Sequence, residues 1–169
     1  NTGFRNIGYG YNALHSNTTG NVNLAIGTAA LYSNLVSPGN IAIGDSAMFA
    51  NTSGSGNVAL GHLSLRYNVS GYQNAAIGHR ALFSNVNGLN NTAINSWALF
   101  SNISGTQNTA IGVVALYSNE TGESNTAIGN ASLYNNKSSR NVAVGVNALY
   151  FNTIGSQNTA VGTWSLQSN

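Results

Sequence analysis

Apolar and polar positions along this chain follow a pattern that returns about every seventeen residues. Each unit opens with Asn, continues through a short apolar stretch such as Thr109–Ile111, and passes a Gly before a second apolar stretch such as Ala115–Tyr117. A second Asn follows, and then a polar turn. Stretches of three to five residues bounded by turn formers are typical of β-strands rather than helices. The pattern therefore predicts two short strands in every unit.

The unit occurs ten times in register. Successive opening residues are 17 apart, except that Asn125 and Asn141 are 16 apart, and the turn Lys137–Arg140 absorbs the missing residue. Self-similarity at a fixed period is the sequence signature of a solenoid or an array. The opening residues are Asn6, Asn23, Asn40, Asn57, Asn74, Asn91, Asn108, Asn125, Asn141 and Asn158.

Seventeen residues are too few for a helix pair, because helical repeats run to about 33 residues or more. Two strands and two turns instead make one coil, and each strand pairs with its copy in the next coil at about 4.8 Å. We therefore predict an all-β fold, a parallel β-solenoid of about ten coils. We expect residues 1–169 to form one repeat domain that is a segment of a longer fibrous protein.

Side chains on a strand alternate between its two faces. We number each unit from its opening Asn, which is position one. We predict that the Ile or Val at position four (Ile111) and the Leu at position nine (Leu116) point into the coil. The Ala at position three (Ala110) would then face outward, where a small side chain permits close approach of another chain. The resulting core is thin, and small cores commonly need oligomerisation. We expect a homo-oligomer, most specifically a homotrimer.

Positions one and twelve are Asn in every unit, the last at Asn169. Asn tolerates left-handed backbone and bonds to nearby backbone, and stacked copies form amide ladders. We predict that these residues form two structural ladders at the corners of the coil. Their members include Asn23, Asn40, Asn57, Asn74, Asn91, Asn108, Asn125, Asn141 and Asn158 in one ladder, and Asn34, Asn51, Asn68, Asn85, Asn102, Asn119, Asn136 and Asn152 in the other.

Position ten carries an aromatic ladder on the face opposite the core Leu. His15 begins the row, and Arg66 and Gln167 interrupt it. Three interpretations remain open: packing between chains, a half-exposed stabilising stack, or a contact surface for sugars or another fibre. The candidate contact residues are Tyr32, Phe49, Phe83, Phe100, Tyr117, Tyr134 and Tyr150.

Charge and composition exclude several partners. Only 5% of residues are charged, against roughly 25% in ordinary soluble domains. The five basic residues are scattered, so no basic stripe predicts nucleic-acid binding. No stretch approaches the ~18 consecutive apolar residues of a membrane span, so we expect no membrane insertion. Cysteine is absent, which excludes disulfides and thiolate chemistry.

The residues that carry catalysis are also sparse. Glu120 and Glu123 are neighbours in one turn, whereas paired carboxylates for acid–base work lie across a cleft. His62 and His79 share position six in adjacent units, but no third metal ligand recurs. No Gly-rich loop opens a helix, and we expect no His–Asp pair that activates a Ser. We expect no enzymatic activity, no cofactor and no metal site.

The run Asn108–Asn119 resembles repeats of two related groups. One is the head domain of trimeric autotransporter adhesins, and the other is the repeat region of bacterial and phage tail-fibre-like proteins, rich in Asn-Thr-Ala-Ile-Gly units. The likeness extends over residues 6–169. It implies a left-handed parallel β-roll, three chains side by side, and an extracellular location at a cell surface or in a virion fibre. The period of seventeen fits the tail-fibre-like group better than the shorter adhesin unit.

Three functional hypotheses follow. The first is a structural or adhesive fibre segment, a rigid rod with surface contacts, which joins end to end if its ends are uncapped. The second is a ligand-binding solenoid, either a carbohydrate-binding fibre tip or an ice binder. Position two mixes Thr109 and Thr126 with Leu24 and Ile41, which argues against the regular Thr array of an ice binder. The third, a glycan-cleaving spike, needs a carboxylate pair that the sequence does not offer.

Overall fold

The computed structural model describes residues 2–168, which form an all-β parallel solenoid with a period of about 17 residues. Ten strands of three residues each lie side by side in one sheet, in the order in which they occur along the chain. The strands are β1 (Ile7–Tyr9), β2 (Leu24–Ile26), β3 (Ile41–Ile43), β4 (Val58–Leu60), β5 (Ala75–Ile77), β6 (Thr92–Ile94), β7 (Thr109–Ile111), β8 (Thr126–Ile128), β9 (Val142–Val144) and β10 (Thr159–Val161).

Each strand pairs in parallel with the same unit positions of its neighbours, as Ala110 does with Ala127. The short unit keeps this register, because Thr126 pairs with Val142 and Ala127 with Ala143. The missing residue is therefore taken up in the turn before β9. The predicted parallel solenoid with one coil per unit is confirmed.

The second apolar stretch of each unit differs from the prediction, because it is a run of turns rather than a second strand. Its residues at positions seven and nine have left-handed backbone, as in Val114 (φ 50°) and Leu116 (φ 53°). Such angles are uncommon for L-residues other than Gly, Asn and Asp. The stretch nevertheless bonds to the next coil: the backbone N–H of Leu116 donates to the carbonyl of Ser132 at 2.9 Å, and that of Ser118 to the carbonyl of Tyr134 at 3.0 Å.

The residues found in the core show that the predicted assignment of the inner and outer strand faces was wrong. Ala110 and its copies are fully buried, whereas Ile111 and its copies are half-buried or exposed on the outside of the sheet. The Leu ladder lies inside as predicted, with Leu116 fully buried. The reason is space: in each coil positions eight and nine both point inward, so the strand opposite them has room only for Ala. The alternation along the strand was predicted correctly, but its phase was reversed.

Glycine at position five permits close stacking of the coils. Gly112 has φ +135°, and a Cβ there would lie 2.6 Å from the carbonyl carbon of Gly129 in the next coil. A side chain at Gly112 would therefore require the local backbone to shift. Asn95 takes this position in one coil, with φ 96°. Among residues 2–168, no helix has the length and apolarity needed to cross a membrane.

Candidate functional site

The Asn residues at positions one and twelve lie in two buried hydrogen-bonded ladders. In the ladder at position twelve, the Nδ2 of Asn85 donates to the Oδ1 of Asn68 at 2.7 Å and to the carbonyl of Gly88 at 3.1 Å. In the ladder at position one, the Oδ1 of Asn91 accepts from the backbone N–H of Asn108 at 3.0 Å. The corner amides thus join neighbouring coils and hold the following turn. Asn169 lies outside the described residues.

The ladder at position twelve is broken at the short unit. Because this unit lacks one turn residue, the Nδ2 of Asn136 bonds to the carbonyl of Ser138 at 2.8 Å. In the preceding unit the Oδ1 of Asn119 is buried and accepts no hydrogen bond. The ladder resumes above the break, where Asn152 donates to the Oδ1 of Asn136 at 2.8 Å.

The aromatic side chains at position ten form two stacks along one side of the solenoid, separated by Arg66. From Phe83 through Phe100, Tyr117 and Tyr134 to Tyr150, successive ring centroids are 5.1 Å apart, with the rings tilted by 5° or less. A shorter stack contains His15, Tyr32 and Phe49. All seven predicted contact residues are half-buried. They are Tyr32, Phe49, Phe83, Phe100, Tyr117, Tyr134 and Tyr150.

These rings stack within a single chain, and the packing affects the hydroxyl of Tyr134. Burial first, and then the neighbouring Tyr117 and Tyr150, raise the pKa of the Tyr134 hydroxyl above its ordinary range. A half-exposed stabilising stack accounts for this geometry without a partner. The other two interpretations, an interface and a sugar contact, stay predictions.

The outer face of the sheet is an uncharged, mainly aliphatic surface. We call the outward residues of β2–β9, at positions two and four of their units, the strand face. Ile43, Ile77 and Ile128 there expose 37%, 37% and 38% of their surfaces. The strand face consists of Leu24, Ile26, Ile41, Ile43, Val58, Leu60, Ala75, Ile77, Thr92, Ile94, Thr109, Ile111, Thr126, Ile128, Val142 and Val144.

A row of ionisable and aromatic side chains crosses four adjacent coils at positions six and seven. The Oδ2 of Asp45 lies 3.9 Å from the Nε2 of His62, and the His62 and His79 ring centroids are 5.3 Å apart. Trp97 packs edge-on against His79 at 5.5 Å. Burial, then Arg80, then His62 lower the pKa of His79. Across residues 2–168, no three His, Cys, Asp or Glu side chains are placed to hold a metal ion.

Two arginines lie beside this row, against aromatic rings. The guanidinium of Arg66 is 5.1 Å from the Phe49 ring centroid and 5.6 Å from that of Tyr67. Arg80 lies 5.5 Å over Phe83, which Tyr67 meets edge-on at 4.9 Å. Arg66 thus fills the gap in the aromatic stack by cation–π contact, an interaction of about 0.5–1 kcal/mol at exposed sites.

The sequence pattern singled out His62 and His79, but it did not connect them to Arg66, Arg80 and Trp97. The signal that could have done so is the departure of neighbouring units from the repeat. Glu120 and Glu123 lie exposed in one turn, and Glu120 pairs with Lys137 at 3.5 Å. They therefore face solvent rather than a cleft, and the surface of the described residues has no pocket.

Comparison with known proteins adds no family assignment. A scan of family models, a search of curated proteins and a search of solved structures found no match to this chain.

Proposed function

We propose that this chain is a rigid structural and adhesive segment of an extracellular fibre or filament, at a cell surface or in a virion, and that it associates with further copies of itself. The observation that carries the proposal is the strand face, whose aliphatic side chains remain half-exposed in the single chain. Contiguous exposed apolar surfaces of soluble proteins mark interaction sites. No catalytic activity is assigned to the chain.

A second copy is the partner that this surface fits best. The strand face carries no charge that would require an ionic complement. Its side chains repeat once per coil, at about 4.8 Å, and an identical array has the same spacing along its whole length. The proposal includes a homotrimer, left-handed coils as the sequence resemblance implies, and end-to-end joining of rods into filaments.

The mass of the particle in solution tests self-association. Light scattering after size exclusion is expected to give three times the 17.4 kDa of one chain for a single rod, and multiples of that trimer mass where rods join end to end. The paired substitution Ile77→Glu and Ile128→Glu places two charges in the interface, where burial without a partner is costly, and is expected to yield single chains. A stable wild-type particle with the mass of one chain would refute the proposal.

A matched control uses Val86→Glu and Ile103→Glu. These residues are exposed to a similar degree, 38% and 44%, on another side of the coil. Their position carries Glu120 in a later unit, so the array accepts Glu there. The control is expected to keep the wild-type mass, and equal dissociation of both variants would contradict an interface at the strand face. If the Glu pair fails to fold, Ile77→Thr with Ile128→Thr gives the same comparison.

The alternative function is carbohydrate binding by a fibre tip or adhesin head. Exposed aromatic side chains next to basic residues favour it, namely Tyr67 and Trp97 beside Arg66 and His79. Binding to immobilised glycans, measured separately from particle mass, distinguishes this function from a purely structural one.

A further inference from the structure

The repeat supplies its own standard for identifying unusual residues. Position six is Thr, Ser, Asn or Val in most units, and position ten is aromatic in most. Units four to six depart from this standard at several neighbouring positions, and the departing side chains are charged or large and aromatic. We call them the basic-aromatic patch, and they are His62, Arg66, Tyr67, His79, Arg80 and Trp97.

These departures form one connected surface. Trp97 packs on His79 and His79 on His62. Arg80, the chain neighbour of His79, lies over Phe83, which meets Tyr67 edge-on. Arg66 lies 5.6 Å from the Tyr67 ring and closes the connection. The coil itself does not require any of these side chains, since other units fold the same way with Thr28, Ala29 or Ser96 in equivalent places.

The charge of the patch is positive and largely uncompensated. Within residues 2–168 neither Arg66 nor Arg80 forms an ion pair, and the Nε of Arg80 is buried without a hydrogen-bond partner. Asp45, at the edge of the patch, pairs with His62 instead. A guanidinium is weakly hydrated and offers a planar fork of donors that matches carboxylate and phosphate groups.

Exposed rings accompany these donors. Tyr67 exposes 46% of its surface and Trp97 exposes 36%. An aromatic face accepts the apolar C–H face of a sugar ring, while the polar edge of the sugar remains in water. Two cations are too few to track a nucleic-acid backbone, whose affinity depends on many phosphate contacts.

From this combination we propose that the basic-aromatic patch binds an anionic saccharide, a sugar ring that carries a carboxylate or a phosphate. Arg66 and Arg80 donate to the anionic group, and Trp97 and Tyr67 pack against the ring. The proposal gives the adhesive part of the proposed function a site. This saccharide-binding proposal rests on the proposed function in one respect: the patch must lie outside the interface between chains. Because the surface is open, each site is weak, and copies in one particle add avidity.

Calorimetric titration with paired probes tests the ligand class on the full chain. Sialyllactose is compared with lactose, mannose 6-phosphate with mannose, and inorganic phosphate and an oligothymidylate are titrated alone. The proposal expects at least one acidic sugar to bind about tenfold more tightly than its neutral partner, a difference of about 1.4 kcal/mol. Equal or absent binding of both pairs, or tighter binding of the oligothymidylate than of either acidic sugar, would overturn it.

Substitutions drawn from the array itself locate the site. Arg66→Tyr and Arg80→Ala together install residues that other units carry at those positions. The double variant is expected to bind the acidic sugar about tenfold more weakly than the wild type. Lys137→Thr with Arg140→Gln removes the same charge away from the patch, using residues found at equivalent positions elsewhere, and is expected to leave affinity unchanged. Equal weakening by both pairs would mean nonspecific attraction and would refute the site.

Trp97→Ala separates the two halves of the site. This substitution is expected to lower the affinity for the acidic sugar and to leave the affinity for inorganic phosphate unchanged. If both affinities stay at the wild-type level, the Trp97 ring has no role in binding. Particle mass is measured for every variant. A wild-type chain of single-chain mass that still binds acidic sugar would remove self-association but keep the patch, so the two failures are distinguishable.

Discussion

Replacing one ladder amide gives the sharpest test of what holds the coils together. The Nδ2 of Asn85 donates to the Oδ1 of Asn68 at 2.7 Å and to the Gly88 carbonyl at 3.1 Å. Its Oδ1 accepts from the Nδ2 of Asn102 at 2.7 Å. Asn85→Ala removes all three hydrogen bonds and leaves the buried Oδ1 of Asn68 without a donor.

The expected cost follows from these bonds. An orphaned buried acceptor costs about 1–3 kcal/mol, and each of the two other lost bonds about 0.5–1.5 kcal/mol. Asn85→Ala should therefore lower the free energy of unfolding by about 4 kcal/mol. Asn119→Ala breaks two bonds and likewise leaves the buried Oδ1 of Asn102 without a donor, but it also removes a buried Oδ1 that has no partner, which offsets part of the cost. Its net cost should therefore be only about 1 kcal/mol.

Urea unfolding at fixed protein concentration, followed by circular dichroism, measures these differences. Asn87→Ala is the control, because this Asn is exposed in the following turn and should change stability by less than about 0.5 kcal/mol. The reasoning predicts the order Asn85, Asn119, Asn87, from largest to smallest loss. Equal losses at Asn85 and Asn119 would show that the ladder bonds do not determine the cost.

Two further predictions concern the backbone and the histidine row. Gly112→Ala should cost about 3 kcal/mol or more in thermal or urea unfolding, because φ near +135° is strained for any residue with a Cβ and the added atom meets the next coil. Gly39→Ala, whose Cβ would find nothing nearer than 4.0 Å, should cost clearly less, and equal costs would contradict the stacking argument. Because burial, Arg80 and His62 lower the pKa of His79, the folded chain binds this proton less readily than the unfolded chain. The stability that His79 contributes in its neutral form should be fully present above the unfolded pKa of about 6.5, and it should be lost as pH falls from there through the lower pKa of the folded state. Urea midpoints at about pH 5 and pH 8 should differ less in His79→Gln than in the wild type, and an unchanged difference would exclude this role.

The period and the solenoid could be predicted because they depend on identities repeated within the chain. The Asn at positions one and twelve were predicted at corners because Asn bonds readily to nearby backbone. The structure places these side chains at buried turns between segments. The displaced turn at Lys137–Arg140 was likewise visible, since the strand register on either side is unchanged.

The direction of the faces could not be obtained from the same pattern. Alternation along a strand permits two phases, and the larger apolar area of Ile favours burying Ile111 rather than Ala110. The deciding fact is the left-handed backbone at Leu116, which brings positions eight and nine inward together. Leu seldom adopts this conformation, so propensity favoured a second strand. The basic-aromatic patch could not be predicted for another reason: the ring contacts that connect its parts run from one coil to the next.

The hydrogen bonds between coils also determine how the rod responds to tension. They run along its long axis, because each coil donates to the carbonyls of the coil above or below, as Thr109 does to Asn125 at 2.8 Å. A pulling force therefore opens coils one at a time rather than shearing the whole array. Each opened coil replaces a rise of about 4.8 Å with seventeen residues of extended chain, about 58 Å long. Each coil that opens therefore becomes about twelvefold longer, so a tethered rod of this kind extends in steps and dissipates a sudden load without breaking its covalent chain. The junction between the short unit and the unit before it, where the corner ladder is interrupted at Asn119, is the natural place for this extension to begin.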